Sequence, residues 1–476
     1  MPPSQSAIRD TAASRNPLRR AFISFHPSAM PPMARANYRR ELAASSLLPF
    51  ALAVFEGGVL GVLIKNGFED VASRWSLTTA VALVSAAPAF GNISSFLWVR
   101  LWHGQPLARA VASMQAIVAI LCAIIAFAPR TEPGMWMMAL GAVGARMAWA
   151  GALTLRSTAW NQNYSRHYRA RLTGKFATIQ VLAIGVLGLG MGWAVDHTTG
   201  AGAGASNWLA FRILAVIGGA FGLVGAWFWT RVRIRGQRAL RRAESGAGAD
   251  RPSINPASMI RTLAEDRPFA GYMLCMMLLG SGNLMIGAPL VLALRDRFAV
   301  DNFGGIAIAS SIPYLMMPAM IPLWARLLER THIIRFRVVH SWVFVAANVL
   351  LLLAALAISE ALLYASAIIK GFAFAGGALA WNLGHLDFAP AYKASQYMGV
   401  HVTLTGVRGL ITPFIGVGVY EALEAWRPGT GSWVFALCAG LTIAGGIGFL
   451  LLVRRVDSRL QAHPEPVEVA PPSRVG

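Results

Sequence analysis

Charge is scarce in this 476-residue chain. Asp, Glu, Lys and Arg make up 13% of it, about half the share of a soluble globular domain. Acids are the scarcer part, 21 against 42 Lys and Arg, which leaves a net charge of +21. Cysteine is nearly missing. Cys122, Cys275 and Cys438 stand far apart, each inside an apolar run, so the sequence indicates neither a disulfide framework nor a thiolate metal site. There is no Walker A stretch, which speaks against ATP hydrolysis by this chain. His-Glu-x-x-His is also missing, and no metal or cofactor is expected.

What the chain has is hydrophobic residues, 56% of the total. They fall into twelve runs near the length of about 20 residues that a spanning helix needs. The runs cover roughly 45–64, 76–99, 108–128, 135–155, 173–195, 207–230, 268–292, 303–325, 336–357, 361–384, 398–421 and 432–453. Nothing reads as the alternating strands of a membrane barrel, and unpaired backbone groups cannot face lipid. The expected fold class is an all-α polytopic membrane protein of twelve transmembrane helices.

One stretch occurs twice. Leu97-Trp98-Val99-Arg100-Leu101 closes one apolar run, and Leu323-Trp324-Ala325-Arg326-Leu327 closes another 226 positions later. The same offset lays Arg109 on Arg335. Ala159-Trp160-Asn161 and Ala380-Trp381-Asn382 form a second echo. Two echoes in one order suggest duplicated six-helix halves in parallel orientation. The domain plan is then a basic tail over 1–44, a first half over 45–233, a basic linker over 234–267, a second half over 268–455 and a disordered tail over 456–476.

Loop charge sets the orientation. One set of short loops holds twelve basic residues, among them Arg100, Arg109, Arg156, Arg326, Arg330, Arg335, Arg337 and Lys393. The opposite set holds six, together with most of the loop acids, including Glu69, Asp70, Asp196 and Asp296. The first side, both termini and the linker are therefore expected to be cytoplasmic. The arginine excess then serves topology and contact with anionic lipid rather than nucleic acid.

Six spans, a basic linker, six more spans and cytoplasmic ends resemble the major facilitator superfamily over roughly 45–455. The family's signature lies between spans 2 and 3, with a weaker copy between 8 and 9, which is where the repeated stretch sits. Here the copy at 97–109 keeps Gly104 and the basic residues but lacks the Asp. The resemblance implies a 6+6 bundle, with spans 1, 4, 7 and 10 lining a central cavity and Arg100, Arg109, Arg326 and Arg335 at the inner gate. The glycines of span 5 (Gly185, Gly188, Gly190, Gly192) and span 11 (Gly406, Gly409, Gly416, Gly418) read first as close helix packing.

Charge at mid-membrane costs several kcal/mol, on the order of 3 by insertion scales, so exceptions are functional candidates. Glu56 stands in span 1, Arg146 in span 4, Asn283 in span 7, Lys370 in span 10 and Arg408 in span 11. A structural ion pair between Glu56 and Arg146 is the competing reading. As a set they form a candidate site for a small solute and a proton or other coupling ion. Three basic groups against one acid favour an anionic or zwitterionic solute, with drug-like cargo also open. The resemblance implies secondary active transport by alternating access, in the inner membrane of a bacterium. Two other functions stay open: a polytopic glycosyltransferase, for which Glu69-Asp70 in the first outer loop would be catalytic, and a non-transporting scaffold or sensor of the same fold.

Overall fold

The computed structural model describes residues 23–164, 166–197, 208–245, 256–389 and 394–462. Among them lie twelve helices long and apolar enough to cross a membrane, and no strand. In order, spans 1 to 6 are Pro32–Phe68, Arg74–Ser95, Leu107–Ile125, Glu132–Asn163, Gly174–His197 and Trp208–Thr230. Spans 7 to 12 are Arg267–Asp296, Asn302–Arg330, Ile333–Ala357, Glu360–Leu383, Gln396–Trp426 and Gly431–Arg455. Every run predicted from hydropathy overlaps one of these helices, in order. The chain is an integral membrane protein built of two six-helix halves.

Helix extends into segments that lie outside the predicted runs. Pro32–Leu47, most of it assigned to the basic tail, is helical and forms the first part of span 1. Its Asn37 side chain donates to Arg233 O at 2.7 Å and accepts from Arg233 N at 3.0 Å, clasping the exit of span 6. The linker carries two short helices, Gln237–Ser245 and Pro256–Glu265. The helix of span 12 continues to Ala462. Residues 1–22, 165, 198–207, 246–255, 390–393 (Lys393 among them) and the chain beyond 462 lie outside the described residues.

The repeated stretch has the same packing role in both halves. Trp98 of span 2 lies against Gly151 of span 4, and Trp324 of span 8 lies against Gly376 of span 10. A Cβ on Gly151 would come within 2.7 Å of the Trp98 ring, so only glycine admits the indole there.

Glycine also builds the seams between halves. A Cβ at Gly188 would sit 2.8 Å from Ser311 Oγ, and one at Gly192 2.8 Å from Phe303 Cα, both of span 8. Gly190 points into open space. Residues three or four apart share a helix face, so Gly185, Gly188 and Gly192 form one stripe along span 8. Gly406 and Gly409 of span 11 press on Ile93 and Ala89 of span 2 in the same way.

Three spans depart from a regular helix. Span 1 breaks between Pro49–Val54 and Gly57–Phe68, with Glu56 extended at φ −66°, ψ 132°. Gly57 and Gly58 follow, and both weaken helix continuity. Span 7 divides into Arg267–Met285 and Gly287–Asp296 just ahead of Pro289, which has no N–H to give the preceding turn. Span 8 holds one π-turn, Ala307–Ser311, just before Pro313. A wide turn there accommodates the donor that Pro313 lacks.

Candidate functional site

The break in span 1 sets Glu56 facing span 4. Arg146 Nη2 donates to Glu56 Oε2, and Arg146 Nε donates to Phe55 O at 3.2 Å. That carbonyl is free because the helix stops at Val54. The two side chains are 14% and 11% exposed, so the pair is largely removed from water. Gly91 of span 2 lets its helix press on the backbone of span 4 at Arg146. The C-terminal half reaches the same point through the π-turn of span 8. A Cβ on Gly58 would stand 2.7 Å from Ser310 Cβ, and Tyr314 interacts with both charges of the pair. Ser310 and Ser311 are buried there with hydroxyls that have no hydrogen-bond partner.

The structure assigns separate surroundings to the other three candidates. Asn283 donates to Leu279 O at 3.0 Å and accepts from Asn348 of span 9 at 3.2 Å. Asn348 in turn donates to Thr442 of span 12 at 2.8 Å. Asn283 thus joins a chain of polar groups inside its own half, not the Glu56 pair. Lys370 is buried, with its ammonium 5.7 Å from the Phe374 ring and no carboxylate within ion-pair distance among the described residues. Its neighbour Gly371 packs on Pro313 of span 8, one residue from Tyr314. Lys370 itself lies within electrostatic reach of Cys438 of span 12, inside its own half. Arg408 is docked on span 7, where its Nη1 donates to Met276 O and its guanidinium lies against Gly280. Glu56 has Arg146 as its ion partner, and Arg408 does not share it.

Of the four gate arginines, Arg100, Arg109 and Arg326 are exposed and form no ion pair among the described residues, and Arg335 is exposed too. The ion pairs between halves lie at the opposite end. Lys65, 3% exposed, sits 2.7 Å from Asp296 across the seam and 2.7 Å from Glu69 of its own half. Arg74 reaches Glu421 at 2.6 Å and Asp296 at 3.4 Å, and Arg295 reaches Glu69 at 3.2 Å. Asp196 accepts from Asn302 and from Phe303 N, both at 2.7 Å. These contacts tie the ends of spans 1, 2 and 5 to those of spans 7, 8 and 11, away from the gate arginines. Glu69, Arg74, Arg295 and Asp296 among them line a polar cavity of about 600 Å³.

Two arginines counted with the loops are buried instead. Arg156 lies under Trp160 at 4.5 Å and Trp149 at 5.3 Å, near Glu41, which is fully buried and takes hydrogen bonds from Trp160 and Tyr164. Arg337 is 2% exposed inside the second half. Periodicity could have flagged Arg337, which falls four residues into span 9 on the face that also carries His340 and Phe344.

Twelve helices in two halves with one internal packing plan, seamed along spans 2 and 11 and spans 5 and 8, constitute the major facilitator fold. Solved structures agree in detail. The chain superposes on the nucleoside transporter NupG with a TM-score of 0.58 at 18% identity, covering 87% of this chain and 99% of that one. For the peptide transporter PepTSo the values are 0.64, 11%, 90% and 99%. For the xylose transporter XylE from E. coli they are 0.63, 9%, 88% and 97%. No protein-family model matches the sequence, and no curated protein does.

Proposed function

We propose that this chain is a secondary active transporter that moves a small solute by alternating access around the Glu56–Arg146 pair. The observation that carries the reading is the position of that pair. It sits at a helix break near the middle of span 1, in contact with Tyr314 of the other half, within a fold shared with nucleoside, peptide and sugar transporters. Discontinuous helices at the interface of two halves are the usual setting of a midplane transport site.

The chemistry follows from the pair. An arginine fork can leave one carboxylate for a solute anion and stay charged throughout. Glu56 is then left without its counter-charge and is the acid open to a coupling cation. Lys370, buried with no carboxylate in ion-pair distance among the described residues, adds positive charge in the second half. An anionic or zwitterionic solute suits this balance. Both termini and the basic linker face the cytoplasm in this reading, and the membrane is the inner membrane of a bacterium.

The test is uptake into proteoliposomes from a panel of small metabolites, with and without an imposed pH gradient. Glu56→Gln is expected to keep solute exchange and to lose accumulation driven by the gradient. Recovery of fully pH-coupled transport by the double variant Glu56→Gln with Arg146→Gln would sink the coupling role and leave the pair as structure.

A further inference from the structure

The second half buries a group of basic side chains for which the Glu56 mechanism has no use. Arg337 and His340 of span 9, His401 and Arg408 of span 11, and His385 just past span 10 are each less than a tenth exposed. None has a carboxylate within ion-pair distance among the described residues. His401 stands within electrostatic reach of Arg408, Arg337 and His385 at once. Arg408 in turn feels Arg337 and Tyr272 of span 7. The packing brings spans 7, 10 and 11 together there: Arg408 lies against Gly280 of span 7, the Tyr272 hydroxyl against Gly384 beside His385, and His401 is 6.0 Å from the Trp381 ring.

Part of this group is already satisfied. Arg337 Nη1 donates to His340 Nδ1 at 3.1 Å, which makes that nitrogen an acceptor and leaves His340 Nε2 to donate to Ala373 O at 2.8 Å. His340 is therefore a neutral ring with both nitrogens engaged, holding Arg337 in place. Arg408 is partly satisfied as well, with Nη1 donating to Met276 O and Nη2 to Thr405 Oγ1 at 3.4 Å, and its Nε is left over. Arg337 Nε, Arg408 Nε, both ring nitrogens of His401, His385 Nδ1 and the Tyr272 hydroxyl are all buried without a hydrogen-bond partner. Buried polar groups are rarely left unsatisfied, and buried charges are rarely left unpaired. Several convergent donors with no acceptor among them call for a ligand that brings several acceptor oxygens and negative charge.

We propose that Arg337, His401 and Arg408 form a binding site for a phosphate group, with Tyr272 and His385 as further donors. A tetrahedral phosphate offers more acceptor oxygens than a carboxylate, and each unpartnered donor here can give it one charge-assisted or neutral hydrogen bond. The group belongs either to the transported solute or to an anionic lipid headgroup. The first case rests on the transport reading above, and the second does not.

The experiment uses the purified full-length chain. In detergent, binding of radiolabelled inorganic phosphate is expected to be saturable. It should weaken by about tenfold or more in Arg337→Gln and in Arg408→Gln, the loss expected for a hydrogen bond to a charged group. The exposed outer residue Arg427→Gln serves as control and should bind as wild type. Thermal unfolding separates a binding role from a structural one. Without phosphate, Arg337→Gln should unfold no earlier than wild type, because it removes a buried charge that has no counter-ion. With phosphate, wild type should gain in unfolding temperature and the variant should not. Nanodiscs of phosphatidylcholine and of phosphatidylglycerol identify the source. Phosphate binding lost only in phosphatidylglycerol marks a lipid headgroup as the occupant, and equal binding in both marks a soluble one. No saturable binding in any of these settings, or undiminished binding in both arginine variants, overturns the proposal. Binding without transport in proteoliposomes keeps this site and overturns the transport reading. Transport without binding does the reverse.

Discussion

Replacing Lys65 by glutamine should shift the protein toward a form open at the outer face. The Lys65 ammonium is the buried centre of the outer ion-pair network, 2.7 Å from Asp296 in the other half and 2.7 Å from Glu69 in its own. Removing one partner of a fully buried ion pair costs about 3–5 kcal/mol, whereas an exposed pair is worth about 0–1 kcal/mol. Here Lys65 is 3% exposed, but Asp296 and Glu69 are 19% and 42% exposed. The loss should therefore lie between those limits, about 1–2 kcal/mol. In the proposed alternating-access reading, with this end facing outward, the Lys65–Asp296 contact exists only while the ends of spans 1 and 7 meet, so the loss falls on the form closed at that end alone. That shifts the equilibrium by a factor of about 5–30. Trp75 and Trp426 are 75% and 78% exposed at the outer ends of spans 2 and 11. The native cysteines are all buried, so spin labels at Trp75→Cys and Trp426→Cys report the separation cleanly. The longer-distance population should grow in the Lys65→Gln background. Asp296→Asn should act in the same direction, and the double variant should fall short of the sum. An unchanged distance distribution in Lys65→Gln would refute the idea that this network holds the outer face shut.

Acid should weaken the same network. Burial alone would raise the Glu69 carboxyl, but Lys65 and Arg295 outweigh it and hold that group below its ordinary value. A group lowered in the closed form stabilises that form at neutral pH and stops doing so as pH falls through the lowered value. The labelled protein should therefore open below the usual glutamate value of about 4.3, and a distance distribution indifferent to acid would count against it. Gly192→Ala presses a methyl onto the backbone of Phe303 at the seam between spans 5 and 8. It should lower stability by about 1–3 kcal/mol, while Gly190→Ala, facing open space, should be near neutral; thermal unfolding of the two decides. Single cysteines at Ser245 and Ala299 should label only from the cytoplasmic and outer sides respectively, and labelling of position 245 from outside intact cells would invert the orientation. Arg100→Ala and Arg326→Ala, exposed and without ion pairs among the described residues, should change stability by no more than about 0.5 kcal/mol, as measured by unfolding in detergent.

The number and order of the spans were legible in the sequence, because apolar runs of spanning length have few other stable arrangements in lipid. The duplication was legible too, since a tryptophan that needs a glycine opposite it leaves the same mark in each half. So were the glycine stripes of spans 5 and 11, whose spacing is that of one helix face. The Glu56–Arg146 pair was foreseeable as two lone charges in neighbouring helices. Tertiary structure decided the rest. Whether an arginine near a span end is a loop charge or a buried one depends on which way its helix face turns. Arg156 and Arg337 read as loop residues and lie inside. Arg408 read as a partner of Glu56 and sits on span 7 instead. The outer latch joins residues more than two hundred positions apart, Lys65 to Asp296 and Arg74 to Glu421. Local patterns carry no record of such a pairing, because it exists only once both halves have folded and met.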